Sequence, residues 1–254
     1  MFTFSDDYSV FDWGQMPDEI PGKGAALCMI GAYFFEEAEK IGVNTHYLGI
    51  GSEKAEEFQR LESVDSPSNR MKVNLVNVIQ PRYVGGKYDY SAYVEKPKNV
   101  LIPLEVIYRN SLPPTSSVWR RLERGELTPE DMGLGHYPKP GERFDEPWFD
   151  YSTKLEPKDR YMLAPEAQRI ARLSDEEFEE VNRNLGAVES IINSRVNQLG
   201  LTNEDGKIEL AHTPDREVMV VDVTGTPDEC RFVDKQTGLP LSKDVVRTIY
   251  KRTP

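Results

Sequence analysis

The sequence predicts a mixed α+β fold, and three observations carry that expectation. Lys207-Ile208-Glu209-Leu210 and Val220-Val221-Asp222 are short strand-like runs joined by a tight polar turn from His212 to Arg216, the pattern of two antiparallel strands. The run 100–108 is the most apolar strand-like stretch in the chain. Ser174-Asp175-Glu176-Glu177 forms a capping box that opens a helix running to about Leu199. Its stripe is Phe178, Val181, Leu185, Val188, Ile192, Val196 and Leu199, a face made for packing. At 254 residues the chain suffices for one large domain or two closely joined lobes.

The remaining elements follow in order. Phe2-Thr3-Phe4 is a strand fragment, followed by the polar run Ser5-Asp6-Asp7-Tyr8-Ser9. Ile20-Pro21-Gly22-Lys23-Gly24 then feeds a helix over 25–41. A Gly-Lys-Gly turn at a helix start presents backbone N–H groups and a cation, which suits a carboxylate or phosphate, although the same residues also make a plain loop. Residues 43–50 and 71–79 read as strands, with a short helix and loop over 52–70 between them. Residues 85–98 form a polar, tyrosine-bearing turn region. Pro103 leaves a gap in any hydrogen-bond ladder, so part of the run 100–108 is expected at a sheet edge or lobe connection. That run delivers Arg109 and Asn110, then a Pro-Pro-Thr-Ser-Ser loop and a helix start at Trp119-Arg120-Arg121. Serines beside arginines there could bind an anion or form a cap and solvated face. Residues 123–147 read as a long irregular connection.

Composition narrows the function classes. An apolar content of 38% with 10% aromatics is enough for a core. The formal charge of -12 argues against a nucleic-acid or anionic-membrane partner, because both require a basic footprint. Small anionic substrates remain open to a local cluster of Lys and Arg. Cys28 and Cys230 give neither a disulfide framework nor zinc spacing, so a reducing, cytoplasmic setting is expected. The sequence carries no signal-peptide pattern and no membrane-length apolar run.

Chemistry concentrates in the 207–222 hairpin. Antiparallel neighbours would bring Glu209 and Asp222 together, and paired carboxylates without His or Cys suit Mg²⁺, which commonly also binds nucleotide phosphates. Lys207 lies two residues before Glu209 and shares its strand face. Two acids, a lysine and Arg231 form the equipment of a phosphate-handling site. A solvated hairpin with ordinary surface charges fits the same pattern.

Taken together, these stretches resemble the SAICAR synthetase family of purine biosynthesis, in order over most of the chain. Phe4-Ser5-Asp6-Asp7-Tyr8-Ser9-Val10-Phe11-Asp12 resembles the family's F-T-D-R-I-S-A-F-D, and Ile20-Pro21-Gly22-Lys23-Gly24 its I-P-G-K-G. Pro103-Leu104-Glu105, with Arg109-Asn110 and then Ser117 and Arg120-Arg121, resembles P-x-E-x-x-x-R-N and the S-x-x-K-R that follows. Ser152-Thr153-Lys154-Leu155-Glu156 and Asp159 resemble S-T-K-x-E and its later Asp. Lys207-Ile208-Glu209-Leu210 resembles K-L-E-F, and Asp222 with Thr226-Pro227-Asp228-Glu229-Cys230-Arg231 resembles D-E-x-S-P-D-x-S-R. Ser242-Lys243-Asp244-Val245-Val246-Arg247 is similar to the family's closing K-D-x-x-R.

The resemblance implies a two-lobed α+β fold similar to ATP-grasp and kinase-like ligases, with antiparallel sheets flanked by helices and a central cleft. Residues 1–103 would form the nucleotide-side lobe with the Lys23 helix, and 104–254 the lobe carrying the metal and ribotide sites. It implies an ATP-dependent ligase joining carboxyaminoimidazole ribotide to L-aspartate through an acyl phosphate. Glu209 and Asp222 would hold Mg²⁺; Glu105 would sit at the adenine edge, and Lys154 and Lys207 near phosphates. Arg109, Ser117 and Arg231 would hold the ribotide, with Lys23 and Asp12 on the substrate side. A homodimer is the default oligomer.

Departures qualify the substrate. The family's opening G-K-x-K strand-turn-strand, which covers the ATP phosphates, has no counterpart in the given residues before Met1-Phe2. The family's Ser after I-P-G-K-G is Gly31, the Glu after the metal Asp is Val223, and the Ser before the final Arg is Cys230. The alternatives are a paralogous ligase with another acid and amine, or a non-catalytic nucleotide- or ribotide-binding protein.

Overall fold

The structure is a computed structural model that describes residues 1–10, 14–51, 58–243, 245 and 246. The chain opens with β1 (Phe2–Thr3) and a small hairpin, β2 (Asp7–Ser9) with β3 (Gln15–Glu19), which feeds α1 (Lys23–Lys40). Then β4 (Tyr47–Gly51), β5 (Phe58–Gln59) and β6 (Arg70–Val73) complete an antiparallel sheet ordered β1-β6-β4-β5. A separate hairpin, β7 (Arg82–Val84) with β8 (Lys87–Asp89), belongs to neither large sheet.

The second sheet follows. Its strands are β9 (Val100–Ser111), β10 (Arg143–Thr153), β11 (Tyr161–Met162), β12 (Leu201–His212), β13 (Val218–Val221) and β14 (Cys230–Asp234). The order is β11-β10-β9-β12-β13, with β14 pairing the first half of β12, and every pairing is antiparallel. Three helices lie between its strands in sequence: α2 (Val118–Glu123), α3 (Ala164–Ala171) and α4 (Asp175–Gln198). The two sheets are stitched together at β13, where the Val220 N–H donates to the Asn44 carbonyl (2.8 Å) and the His46 N–H donates to the Val220 carbonyl (3.1 Å).

Strand alternation explains the layering. On β9, Ile102, Leu104, Val106 and Tyr108 face the core, joined by Ile208 and Leu210 of β12 and by Val218 and Val220 of β13. Against them pack α4, through Val181, Leu185, Val188, Ile192 and Val196, and α1, through Cys28, Ala32, Phe35 and Ala38. The Ser174 capping box is present: its hydroxyl accepts from the Glu177 N–H, and the Glu177 carboxylate accepts from the Ser174 N–H. Truncating a fully buried side chain such as Leu185 to Ala would cost about 2–5 kcal/mol.

Several expectations change. Leu199 caps the helix and is 62% exposed, one residue too late for the stripe. The strand expected over 71–79 ends at Val73, and Leu75 and Val78 are exposed. The expected irregular stretch 123–147 already includes the start of β10 at Arg143, although the register shifts between Arg143 and Trp148. Pro103 lies in a strand flanked on both sides rather than at an edge. Its gap falls where the β12 register shifts between Glu209 and Ala211, and beside the end of the β10 pairing at Leu104. The expected lobe boundary at 103/104 therefore cuts through β9, and one hydrophobic core contains residues from both sides of it.

Candidate active site

The opposite face of the second sheet carries the charged residues. Alternation places Glu105, Ile107 and Arg109 of β9, Asp205 and Lys207 of β12, and Arg231 of β14 around a cavity of about 450 Å³. It adjoins a second cavity of about 670 Å³ beneath the start of α1, the two sharing Asp228, Glu229, Ser242 and Lys243.

Glu209 stands directly across the ladder from Glu105 on one side and from Val221 on the other, so Asp222 emerges beside it. Asp222 has φ +61°, a left-handed conformation rare outside glycine, and its carbonyl accepts from His46 Nε2 at 3.0 Å. Lys154 Nζ lies 2.5 Å from Glu209 Oε1 and 3.5 Å from Glu105 Oε1. Lys207 Nζ contacts Glu105 at 2.8 Å, Glu229 at 3.1 Å and Glu209 at 3.4 Å. Ser152 Oγ donates to the other oxygen of Glu105 at 3.2 Å. The hairpin thus brings Glu209, Asp222 and Lys207 together, and the β9–β10 pairing adds Lys154, with Glu105 in the middle of the cluster.

The electrostatics follow. Burial pushes the Asp222 carboxyl up to about 7, and the charges of Glu209 and Glu229 add to that while Lys207 opposes it. Burial would also raise Glu105, but Lys207 and Lys154 outweigh it and hold that carboxyl below its usual value. Burial pulls Lys207 down, yet Glu229, Glu105 and Glu209 leave it raised. Asp222 is thus left short of positive charge at neutral pH, although Lys154 and Lys207 stand beside Glu209. A hard divalent cation would meet that need, so the pair fits Mg²⁺. Among the described residues no set of three or more His, Cys, Asp or Glu side chains converges on a metal position. Two protein carboxylates, with water and phosphate in the other positions, is an arrangement Mg²⁺ favours.

Arg109 is buried, and its charge is committed. It donates to Asp150 (2.8 Å) and Asp205 (3.1 Å), and reaches Ser116 and Ser117 at 3.5 Å. Arg121 also donates to Asp150, at 2.7 Å. Arg231, at the cavity wall, donates to Asp205 at 2.6 Å. Arg109 therefore lines this cavity together with Arg231, Ser117, Arg120 and Lys243, but with its charge already engaged by Asp150 and Asp205. Lys23 lines the neighbouring cavity and pairs with Asp228 at 3.0 Å. The N–H groups of Gly22 and Gly24, expected to await an anion, both donate to Asp6, the chain's own carboxylate, at 2.8 Å. These bonds, with Lys23, hold the Asp6 carboxyl below its usual value. Asp12 lies outside the described residues.

Asp150, Asp205 and Glu229 were not singled out from sequence. Asp205 could have been found, since it lies two residues before Lys207 and shares its face. Asp150 has no local signal: only the β9–β10 pairing, which sets it across from Ile107 and beside Arg109, reveals it.

Antiparallel sheets carrying paired acids, two lysines and an arginine-and-serine pocket on one face define a protein that handles phosphorylated, carboxylated small molecules. The sequence profile of the SAICAR synthetase family matches residues 1–253, and the chain belongs to that family. A putative phosphoribosylaminoimidazole-succinocarboxamide synthase of Archaeoglobus fulgidus is 49% identical over 252 residues, covering 99% of this chain and 73% of that protein. The phosphoribosylaminoimidazole-succinocarboxamide synthase of Thermoplasma acidophilum is 32% identical, covering 100% of this chain and 78% of its own length. Among solved structures, a SAICAR synthetase in complex with ADP matches with a TM-score of 0.69 at 22% identity, covering 98% of this chain and 82% of that one. The Saccharomyces cerevisiae enzyme complexed with SAICAR matches with a TM-score of 0.66 at 22% identity, covering 94% of this chain and 71% of that one. These likenesses establish the mixed fold with antiparallel sheets. Among the described residues no helix is long and apolar enough to cross a membrane.

Proposed function

We propose that this chain joins carboxyaminoimidazole ribotide to L-aspartate in an ATP-dependent amide ligation, releasing ADP and phosphate. The observation that carries the reading is the Glu209–Asp222 pair set under Lys154 and Lys207, beside the Arg231 pocket, in a chain 49% identical to a putative synthase. A carboxylate is a poor acyl donor. Transfer of the γ-phosphoryl group to its oxygen creates a leaving group, which the aspartate amine then displaces. Mg²⁺ held by Glu209 and Asp222 would supply charge neutralisation for the phosphates.

The chain's own residues do the rest. Lys207 and Lys154 place positive charge where phosphoryl oxygens must gather, and Glu105 fixes both lysines by accepting from each. Leu101, Ala211, Met219 and Val221 form a buried apolar cluster on the same face, and Val76 and Leu155, partly exposed over it, would give a nucleobase a seat beside the acids. This reading moves Glu105 from the adenine edge to the lysine cluster. Arg231, Arg120 and Ser117 would hold the ribotide by charge-assisted bonds to its phosphate and carboxylate. In the adjoining cavity Lys23 and Lys243 would meet an amino acid's carboxylates, and Asp7, Asp228 and Glu229 its amine. The two buried, free thiols fit a reducing compartment such as the cytoplasm.

The test is ADP release by the purified protein with Mg-ATP, ribotide and L-aspartate, each omitted in turn. Release should require all three and yield a product with the succinocarboxamide mass. Glu209→Gln should lower turnover about a hundredfold or more. Tight ribotide binding without any turnover would instead indicate a binding protein, and turnover with another acid or amine a paralogous ligase.

A further inference from the structure

A third cavity, of about 730 Å³, lies outside the cleft, between the β7–β8 hairpin, the loop of residues 154–160, and α3 with its C-terminal cap. Its walls combine tyrosine rings with four cations, Lys87, Arg160, Arg169 and Arg172, against three acids, Asp89, Glu156 and Glu166. Tyr83 is 65% exposed although it packs against Tyr88 at 4.9 Å between ring centroids. Tyr88 and Ile170 join the small cluster around Tyr90 and Tyr93 that anchors the hairpin.

The acids of this cavity are already engaged. Glu156 accepts from Tyr90 and Arg160, Glu166 accepts from Arg160 at 2.8 Å, and Asp89 accepts from the Ser91 N–H at 2.9 Å. Among the described residues Lys87 and Arg172 form no ion pair within 4.0 Å, although Arg172 is near enough to help the Ser91 N–H hold the Asp89 carboxyl below its usual value, and Arg169 reaches Glu166 only at 3.9 Å. In a chain of formal charge -12, this places a local excess of positive charge beside the exposed Tyr83 ring. Arg172 also holds φ +55° at the C-cap of α3, a position where glycine is the usual residue. A cation is therefore placed at a backbone position that favours another residue, at the mouth of the cavity.

We propose that this cavity is a second small-molecule site, taking a ring-bearing phosphate ester of the nucleoside monophosphate class. The ring lies against Tyr83 and Tyr88, and the phosphate is held by Lys87 and Arg172. The site touches the cleft through one short loop: Lys154 and Asp159 face the cleft, while Glu156 and Arg160 face this cavity. Binding here does not depend on the ligase reading.

The probe is AMP, and the readout is nitration of Tyr83 by tetranitromethane, located by peptide mass spectrometry. AMP should protect Tyr83 with a half-effect below about 1 mM, and inorganic phosphate alone should need at least about tenfold more. Arg172→Gly should raise the half-protecting AMP concentration about tenfold, the loss of one charge-assisted contact, without lowering Tm, because glycine accepts the left-handed backbone. Glu209→Gln, which alters only the cleft, should leave the protection unchanged. No protection by AMP, equal protection by phosphate, no effect of Arg172→Gly, or loss of protection in Glu209→Gln would each overturn the proposal.

Discussion

Gly31 of α1 and Val223, one residue beyond Asp222, fill a single packing space: a Cβ on Gly31 would stand 2.8 Å from Val223 Cγ2. Both positions depart from the family pattern, where a Ser and a Glu are expected. The structure makes these two departures one coupled change, with a lost side chain on the helix making room for a branched one beside the acids. Gly31→Ala should therefore destabilise the protein by about 1–3 kcal/mol through overpacking, despite alanine's better helix propensity. With Val223→Ala added, the penalty should shrink, giving a coupling energy of at least about 0.5 kcal/mol in a denaturant double-mutant cycle. Strict additivity would show that the two side chains do not share the space.

Lys207 is the counter-charge for three carboxylates, Glu105, Glu229 and Glu209. In the native protein Glu105 has a depressed pKa, so its contribution is present above its unfolded value and lost as pH falls through the folded one. Lys207 has a raised pKa, so its own contribution is present below its unfolded value and lost only in strong alkali. Lys207→Met removes both effects and leaves clustered acids that burial holds protonated. Asp222, already raised to about 7, makes the native protein lose some stability up to that pH, and the variant should lose more than the native protein as pH rises from 5 to 8. Parallel Tm profiles of the two proteins over that range would contradict the arrangement.

His212, on the last turn of the β12 ladder, is buried and its Nδ1 lacks a hydrogen-bond partner. Burial lowers its pKa to about 4, and Arg216 adds to the effect. A histidine with a depressed folded pKa is held neutral while the unfolded chain takes up a proton. Stability is then unaffected above about 6.5 and falls as pH drops from there towards 4. The loss attributable to this residue is on the order of 3 kcal/mol at pH 4. His212→Gln should make that part of the urea-unfolding profile less steep, His46, also pushed down to about 4 by burial, supplying the rest; an unchanged slope between pH 6.5 and 4 would place the acid sensitivity elsewhere.

Local pattern carried some features of this molecule and not others. The α4 helix was legible because its cap and stripe are short-range, and so was the Glu209–Asp222 turn, because strand spacing and a two-strand hairpin fix it. Lys154 joined the acids only through the β9–β10 pairing, a long-range contact that spacing does not encode. The Asp6 carboxylate that seals the Gly22–Lys23–Gly24 turn lay in plain sight, but nothing local says that it bonds residues sixteen and eighteen positions away. Leu75 and Val78 lie in a strand-like stretch yet are exposed, because that stretch makes only the single bridge of Asn77 to Val100 rather than a ladder.

Asp205 accepts from both Arg109 and Arg231 through one oxygen, so it couples the buried frame to the cavity wall. Asp205→Asn keeps the volume but removes the charge that aims Arg231. Breaking a buried ion pair should cost about 3–5 kcal/mol of stability. It should also raise KM for the ribotide about tenfold or more while kcat changes less, because Glu209, Asp222 and the lysines are untouched. Asp150→Asn is the informative comparison. It takes a partner from Arg109 and Arg121 but leaves the Asp205–Arg231 contact in place. Stability should fall by a similar amount there, with KM nearly unchanged. If both variants raised KM alike, Asp205 would act only by supporting the fold; if only Asp205→Asn did, its aim of Arg231 would be the cause.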